Sequence, residues 1–440
     1  MYLNNHNNTS LEWPGWVLLP VVFGYVTMTR SFAHLGIAPL YIGEATLGLL
    51  LFFRPEMILG TWFRVQLLPS KYSNLAMWST VFVAYGLLQF MRGLSGSAYP
   101  KMALQNFGFN YYIAFLFAGM WLGERHRNLL PRVLWYLAWV NAIYGLAYFV
   151  KLGQPLTPEE IEANVIPAFG WPAGSAIAIL GLLAFEGSIR RAIIPLALNG
   201  FVLLGMQVRA EWLSFALAVT LLSVLRGRLS QLIQVMVLAG GLILVGIIVD
   251  VKIPSQTGRD GMISSRDLIG HAVAAVDEGA AAQLTEVAER SSGTVSWRTQ
   301  WWTNLLNVTH KHALTTLFGM GYGYPIWEHN YLSEGINPTP HNVFIYVVTY
   351  TGWVGVFIFY TLQLYLAWLL WKGYRASGQP FGICLWVLFF VWAHFDNRLE
   401  TPYGATPFYV LVGMALTSVL ETTNTERQDY PSSRTVDSLR

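Results

Sequence analysis

Residues 341–371 read HNVFIYVVTYTGWVGVFIFYTLQLYLAWLLW, a run without a single Lys, Arg, Asp or Glu. A helix needs about 20 mostly apolar residues to cross ~30 Å of hydrocarbon, so this run is long enough to span a bilayer. It marks the chain as an integral membrane protein. The preceding NPTP (337–340) favours an extended approach, because a residue before proline avoids the helical region. His341 and Asn342 therefore stand at or just before the helix start. A proton-exchanging side chain there is either an interfacial cap or part of a site.

Composition agrees with the membrane reading. The 440 residues are 54% hydrophobic, 15% aromatic and 12% charged, whereas soluble domains carry about a quarter charged residues. A net charge of +3 and the lack of any long Lys/Arg block exclude a nucleic-acid partner. The single cysteine, Cys384, excludes an intrachain disulfide and a cysteine-based metal site. The first apolar run follows MYLNNHNNTS, which has no Lys or Arg, and reads as a transmembrane helix rather than a cleaved signal.

Working outward from 341–371, apolar runs predict an all-α protein of about twelve transmembrane helices. The spans are 14–29, 36–53, 74–92, 108–123, 131–150, 173–186, 191–206, 209–226, 231–250, 341–371, 379–396 and 405–421. The even-numbered short connections hold twelve Lys and Arg, Arg54 and Arg125 among them, against six in the opposite ones, which include Arg30 and Arg398. The positive-inside rule then places both termini in the cytoplasm. Nine spans occupy 1–250, a large periplasmic loop fills 251–340, three spans occupy 341–421, and a polar, disordered cytoplasmic tail covers 422–440. Loop 151–172, with Glu159, Glu160 and Glu162, falls outside the cell membrane on the same reading.

A loop of that size has structure of its own. SRDLIGHAVAAVDEGAAAQLTEVAER (265–290) is Ala-rich and helical in character. SWRTQWWTNLLNVTHKHAL (296–314) begins with Ser296 as a predicted N-cap and places Trp297, Trp301 and Leu305 on one face. That face suits a helix lying at the membrane surface.

On the outer face, His341 is the first candidate. A helix N-terminus favours neutral imidazole, which can accept a proton near neutral pH. Arg209 lies in LLGMQVRAEWLSF, as either a snorkelling anchor or a fixed cation at the rim, with Glu211 beside it. Arg298 shares a helix face with Trp302 and offers a guanidinium fork to phosphate oxygens, or is a solvated charge. Arg259 and Arg266 in GRDGMISSRD repeat the idea in weaker form. FGMGYGYP (318–325) follows no predicted strand and lacks Lys-Ser/Thr, so it reads as a tight aromatic-lined turn rather than a phosphate loop. His310 and His312 diverge on a helix. No metal-ligand set appears, and no cofactor is expected. Glu44, inside the second span, is either buried for structure or lines a cavity. Tyr322, Tyr324, Trp297 and Trp301 are candidates for sugar stacking or membrane seating.

The order of these features resembles the O-antigen ligase and polymerase superfamily, bacterial membrane glycosyltransferases that use undecaprenyl-pyrophosphate-linked glycans. The features are Arg209 opening a mid-chain span, Arg298-x-x-x-Trp302 in the outer loop, a Gly-rich turn, then His341-Asn342 followed by Gly352-x-x-Gly355. By motif the likeness covers roughly 190–360. Where the family often has Ser-Arg-Gly, this chain has Val208-Arg209-Ala210. The resemblance implies His341 as catalytic base and Arg209 and Arg298 as diphosphate ligands, with secondary roles open to Asn342, Trp302, Arg259, Tyr322 and Glu44. It implies metal-independent, inverting transfer at the periplasmic face of the inner membrane to a lipid A–core sugar. The alternative within the class is an O-antigen or exopolysaccharide polymerase with a glycan acceptor. A solute transporter is the alternative from another class; it wants ionisable groups near mid-membrane, where Glu44 and His394 are the candidates.

Overall fold

The charge-free run forms one long helix, Val343–Ser377. Asn342 starts it, its side chain accepting the Ile345 amide, and Gly378 ends it in the left-handed conformation, the usual division of labour between a polar N-cap and a C-terminal glycine. The computed structural model describes residues 11–428 apart from 39, 69, 97–98, 127, 153–165, 187, 231–232, 234–251, 255–261, 265–269, 271–272, 274–285 and 331–338.

Numbered along the chain, the α-helices are α1 (Trp13–Ala33), α2 (Ile42–Phe53), α3 (Thr61–Gln66), α4 (Ser70–Gly96) and α5 (Pro100–Tyr111). Then come α6 (Ala114–Arg125), α7 (Leu129–Ala147), α8 (Ser175–Phe185), α9 (Ile189–Gly205) and α10 (Arg209–Leu225). The outer region and C-terminal part add α11 (Glu286–Thr309), α12 (Ala313–Phe318), α13 (Val343–Ser377), α14 (Phe381–Ala393) and α15 (Pro402–Gln428). Two short antiparallel hairpins complete the described residues: Gly36–Ile37 with Leu40–Tyr41, and Lys252–Pro254 with Met262–Ser264, where Ile253 faces Ile263.

The all-α membrane reading holds, while the described residues do not confirm twelve spans. Among the described residues four helices are long and apolar enough to cross a membrane: Trp13–Ala33, Ser73–Gly96, Leu129–Val150 and Val343–Ser377. Hydropathy averages over breaks that the backbone makes. The expected span 36–53 is a hairpin followed by the twelve-residue α2. The expected span 108–123 crosses the junction between α5 and α6. Spans 173–186 and 379–396 shorten to α8 and α14, of 11 and 13 residues. The ninth expected span, Glu159, Glu160 and Glu162, and most of the Ala-rich segment lie outside the described residues. The last helix runs on to Gln428, so residues 422–428, expected in the tail, are helical.

Close approach of backbones sets the core. Gly119 of α6 and Gly413 of α15 sit at the crossing of these helices, where an added Cβ would meet the Val410 and Leu116 carbonyls. Small residues of this kind let membrane helices pack at short range. The second close approach is the kink of α13 at Gly352 (φ 66°), where a Cβ would strike Gly319 and Leu317 backbone. A kink frees carbonyls that a hydrocarbon environment cannot satisfy. The FGMGYGYP turn supplies the missing donors: Met320 N–H donates to Thr349 O (2.8 Å) and Gly321 N–H to Tyr350 O (3.0 Å). Arg92 of α4 secures the same turn through the carbonyls of Phe318 (2.7 Å) and Gly319 (3.2 Å).

The helix expected to begin at Ser296 begins ten residues earlier, at Glu286. Its Trp face turns into the protein rather than the bilayer. Trp301 and Leu305 are fully buried, Trp301 Nε1 donates to Ile326 O (3.1 Å), and Trp297 Nε1 donates to Asn330 Oδ1 (2.8 Å). An apolar helical stripe has the same period whether lipid or protein covers it. Trp301 is therefore a core residue, and half-buried Trp297 packs against that core.

Candidate functional site

The segment Thr339–Asn342, which turns left-handed at His341 rather than staying extended, and the turn 394–401 (HFDNRLET) are joined by three side-chain bonds. Asn397 Nδ2 donates to Thr339 Oγ1 (3.2 Å), Asn342 Nδ2 donates to His394 O (2.8 Å), and His341 Nδ1 lies 3.1 Å from Asp396 Oδ1. Asn342 thus does two jobs: its oxygen caps α13 and its nitrogen holds the turn. The capping role proposed for His341 falls to its neighbour, and the imidazole is left to meet a carboxylate.

Asp396 is held from several sides. Burial opposes its charge, but the His341 hydrogen bond and the Arg398 guanidinium outweigh that cost and keep the carboxyl well below the usual carboxylate range. Arg398 Nε is 3.8 Å from Asp396 Oδ2, and its guanidinium carbon lies 3.9 Å from the centre of the Trp392 ring. Cation–π contact of this kind favours a buried arginine. Tyr403 closes the turn by donating to Asn397 Oδ1 (3.0 Å).

Helix α11 delivers Arg298 and Trp302 to this place. Arg298 Nη1 donates to Phe395 O (3.0 Å), next to Asp396, and Trp302 Nε1 donates to Pro340 O (2.8 Å), next to His341. Burial pushes the Arg298 guanidinium down from its ordinary value, with Asp396 acting against the fall. The i, i+4 pair therefore grips both halves of the His341–Asp396 contact. From the other side, α10 packs on α14, and the buried Glu211 in its first turn lies within electrostatic reach of Arg398 and Asp396. Arg209, half-buried, opens that same turn.

Within electrostatic reach of Asp396 sits Glu400, 7% exposed, with the Asn342 backbone nearby but neither carboxyl oxygen in a well-formed hydrogen bond among the described groups. Burial, reinforced by the Asp396 charge, pushes its carboxyl well above the usual range. Buried polar atoms without partners are rare in folded proteins. Here Arg298 Nε, Arg398 Nε and Nη2, Glu211 Oε1 and both Glu400 oxygens all lack a hydrogen bond.

Backbone strain gathers at the same place. Three described non-glycine residues have positive φ: His341 (54°), Gln207 (54°) and Thr29 (43°). One is the candidate base, one stands two residues before Arg209, and one precedes Arg30, whose charge acts on Tyr403. Strain of this kind costs about 1–3 kcal/mol per residue and persists where surrounding structure over-determines it, often at functional sites.

The structure brings together His341, Asn342, Arg298 and Trp302, with Arg209 at the start of the neighbouring helix. Two predicted residues sit elsewhere. Glu44 caps α2, accepting from the Tyr41 amide (3.1 Å), Tyr111 Oη (3.0 Å) and Tyr112 Oη. Tyr322 is wholly buried, its hydroxyl donating to Asn110 Oδ1, so it belongs to the core. Tyr324 pairs with His329 Nε2 (2.6 Å). Arg259 and Arg266 lie outside the described residues. Sequence reasoning missed Asp396, Arg398 as its partner, and Glu400. The signal was present: HFDNRLE (394–400) packs four ionisable residues into seven positions of a chain that is 12% charged.

The model of the O-antigen ligase family matches residues 194–360. The matched stretch runs from α9 into α13 and so contains Arg209, Arg298, Trp302, His341 and Asn342, while Asp396 lies beyond it. No curated protein matches the chain.

Proposed function

We propose, on the premise that residues 194–360 make this chain a member of the O-antigen ligase superfamily, that it transfers a glycan from undecaprenyl pyrophosphate to an acceptor hydroxyl. The observation that carries this reading is the 3.1 Å contact between His341 Nδ1 and Asp396, with Arg298 bonded to the adjoining carbonyl. A carboxylate on one ring nitrogen sets the tautomer and leaves Nε2 as the basic nitrogen, as in hydrolytic triads.

The acceptor hydroxyl oxygen attacks the anomeric carbon, and the bond from that carbon to the pyrophosphate oxygen breaks. His341 Nε2 takes the hydroxyl proton, a contribution of about 10²–10⁴ in rate for a well-placed base. Asp396 stabilises the positive charge that develops on the ring. The leaving diphosphate departs as an anion, and Arg209 and Arg298 balance it as charges fixed before the reaction begins. The unused N–H of buried Arg298 provides a donor for a phosphate oxygen. In-line displacement inverts the anomeric centre. No step requires a metal ion, so transfer is expected to persist in EDTA; activity lost in EDTA and restored by magnesium would contradict the arginine scheme.

We place transfer at the periplasmic face of the inner membrane, the side that the expected topology and the positive-inside rule give the His341 mouth. The acceptor we favour is a lipid A–core sugar, which makes the protein a ligase. Purified protein, a lipid-linked glycan and lipid A–core test the reading directly: product must form with the wild type and fail with His341→Ala. Surface glycans of a deletion strain then separate the two acceptors. Loss of all long chains from lipid A, with lipid-linked polymer accumulating, identifies a ligase, and single-unit caps on lipid A identify a polymerase.

A further inference from the structure

At the other end of α13 from His341, several helix ends enclose a cavity of about 240 Å³. Val343 and Tyr374 are separated by roughly 45 Å of helix at 1.5 Å per residue, so the cavity belongs to the opposite leaflet and takes no part in transfer. Phe185, Leu370 and Phe381 give it an apolar wall, and Asn128, Gln379 and Thr417 a polar one.

No described basic side chain lines it, but three arginines lie near its rim. Arg226 donates to Leu183 O (2.6 Å) and to Ala184 O, and Gln379 Nε2 donates to that same Ala184 carbonyl (3.4 Å). This shared acceptor seats a half-buried guanidinium beside the cavity wall. Tyr374, another lining residue, donates to Leu225 O (2.9 Å) and ties the end of α10 to the same wall. Arg132 follows the lining residue Pro131, and Arg228 lies within electrostatic reach of Arg226; both are exposed. A carboxylate also stands near the rim: Glu186 follows the lining residue Phe185, and its side chain accepts the Ser188 amide (3.2 Å).

The outer surface of α13 at this level carries an interfacial signature. Trp368 and Trp371 are exposed, and Lys372 Nζ lies 4.0 Å from the centre of the Trp368 ring. Aromatic rings and snorkelling lysines mark the boundary between hydrocarbon and head groups.

We infer that this cavity binds the head group of an anionic phospholipid from that leaflet, its phosphodiester facing Arg226, Arg132 and Arg228. Basic pockets between membrane helices are suited to such head groups. A free phosphate would gain nothing from the apolar wall, whereas the glycerol and first methylenes of a diacyl lipid fill it.

The full-length protein in detergent, titrated with phosphatidylglycerol and read by native mass spectrometry, tests this without reference to glycan transfer. The wild type should hold one phosphatidylglycerol in preference to phosphatidylethanolamine. Arg132→Gln combined with Arg228→Gln, both at exposed positions, should weaken binding about thirtyfold, at the worth of surface cations near a lipid phosphate. Thr417→Trp, which fills the cavity, should abolish it. Equal retention of phosphatidylethanolamine, equal competition by inorganic phosphate, or unchanged affinity in the double variant would overturn the assignment.

Discussion

Two of the polar clusters buried among the described residues are opposite in kind. Around Asn141 the groups are neutral and satisfied. Its Nδ2 donates to Ser175 Oγ (3.0 Å) and Asn199 Oδ1 (2.8 Å), and its Oδ1 accepts the Gly174 amide (3.2 Å). Asn199 in turn donates to Ala138 O and Pro195 O, both at 2.8 Å, so the network staples α7, α8 and α9 together. Around Asp396 the groups are charged, and several buried nitrogens and oxygens have no hydrogen bond. A satisfied neutral network rigidifies a fold. A charged cluster left incomplete is costly to bury, and perturbed titratable groups of this kind gather where a ligand or a reaction completes them.

The sharpest way to break this contrast is to remove the base. His341→Ala should lower the transfer rate by about 10²–10⁴ while leaving the melting temperature close to that of the wild type. A variant that loses stability instead of rate would move His341 into the same class as Asn141.

Asp396→Asn comes next. A hydrogen bond to a charged group is worth about 1.5–3 kcal/mol, which corresponds to about a tenfold to hundredfold fall in kcat. Donor KM should change little, because Asp396 acts through the imidazole. Single-turnover kinetics separate the two parameters. A rise in KM at constant kcat would make Asp396 a substrate ligand rather than the residue that orients the base.

How far these roles could be read in advance depended on sequence distance. His341, Arg298 and Arg209 were singled out because the expected sidedness of charge puts all three at one mouth. Asp396, the partner of His341, lies 55 residues beyond it, past a whole helical hairpin, and no local pattern links the two. HFDNRLE was counted as an outer connection when its density of ionisable groups was the better signal. Helix α13 was legible from its length alone. Trp297 and Trp301 were misplaced because periodicity identifies an apolar face without saying what covers it. The bounds of the expected spans were least legible where short helices meet end to end, as α5 and α6 do, since hydropathy does not register a broken backbone.

The neutral cluster makes the reciprocal prediction. Asn141→Ala leaves the Gly174 amide and one Asn199 oxygen without their partner, and a buried unsatisfied group costs about 1–3 kcal/mol. Thermal unfolding in detergent should show that loss, while activity per folded molecule stays unchanged. A drop in turnover without a drop in stability would connect this network to the site and erase the distinction.

The smallest effect sharpens the comparison inside the charged cluster, where Asp396 and Glu400 should respond to pH with opposite signs. The Asp396 carboxyl is depressed in the folded chain, so its stabilisation is present above its unfolded value near 3.9 and is lost as pH falls through the folded value. Glu400 is raised. Above about pH 4.3 the unfolded chain has lost a proton that the folded chain still holds, so stability declines as pH rises, by at most about 1.4 kcal/mol per unit for one proton. Glu400→Gln fixes the neutral form and should flatten that decline without altering the acid limb, whereas Asp396→Asn should flatten the acid limb and, by removing a charge that helps raise Glu400, narrow the pH range of the decline. An ionised Glu400 also adds negative charge near the diphosphate, so the wild-type donor KM should rise toward alkaline pH more steeply than that of Glu400→Gln. Parallel pH profiles for the two proteins would mean that Glu400 stays neutral throughout and only fills space near Asp396.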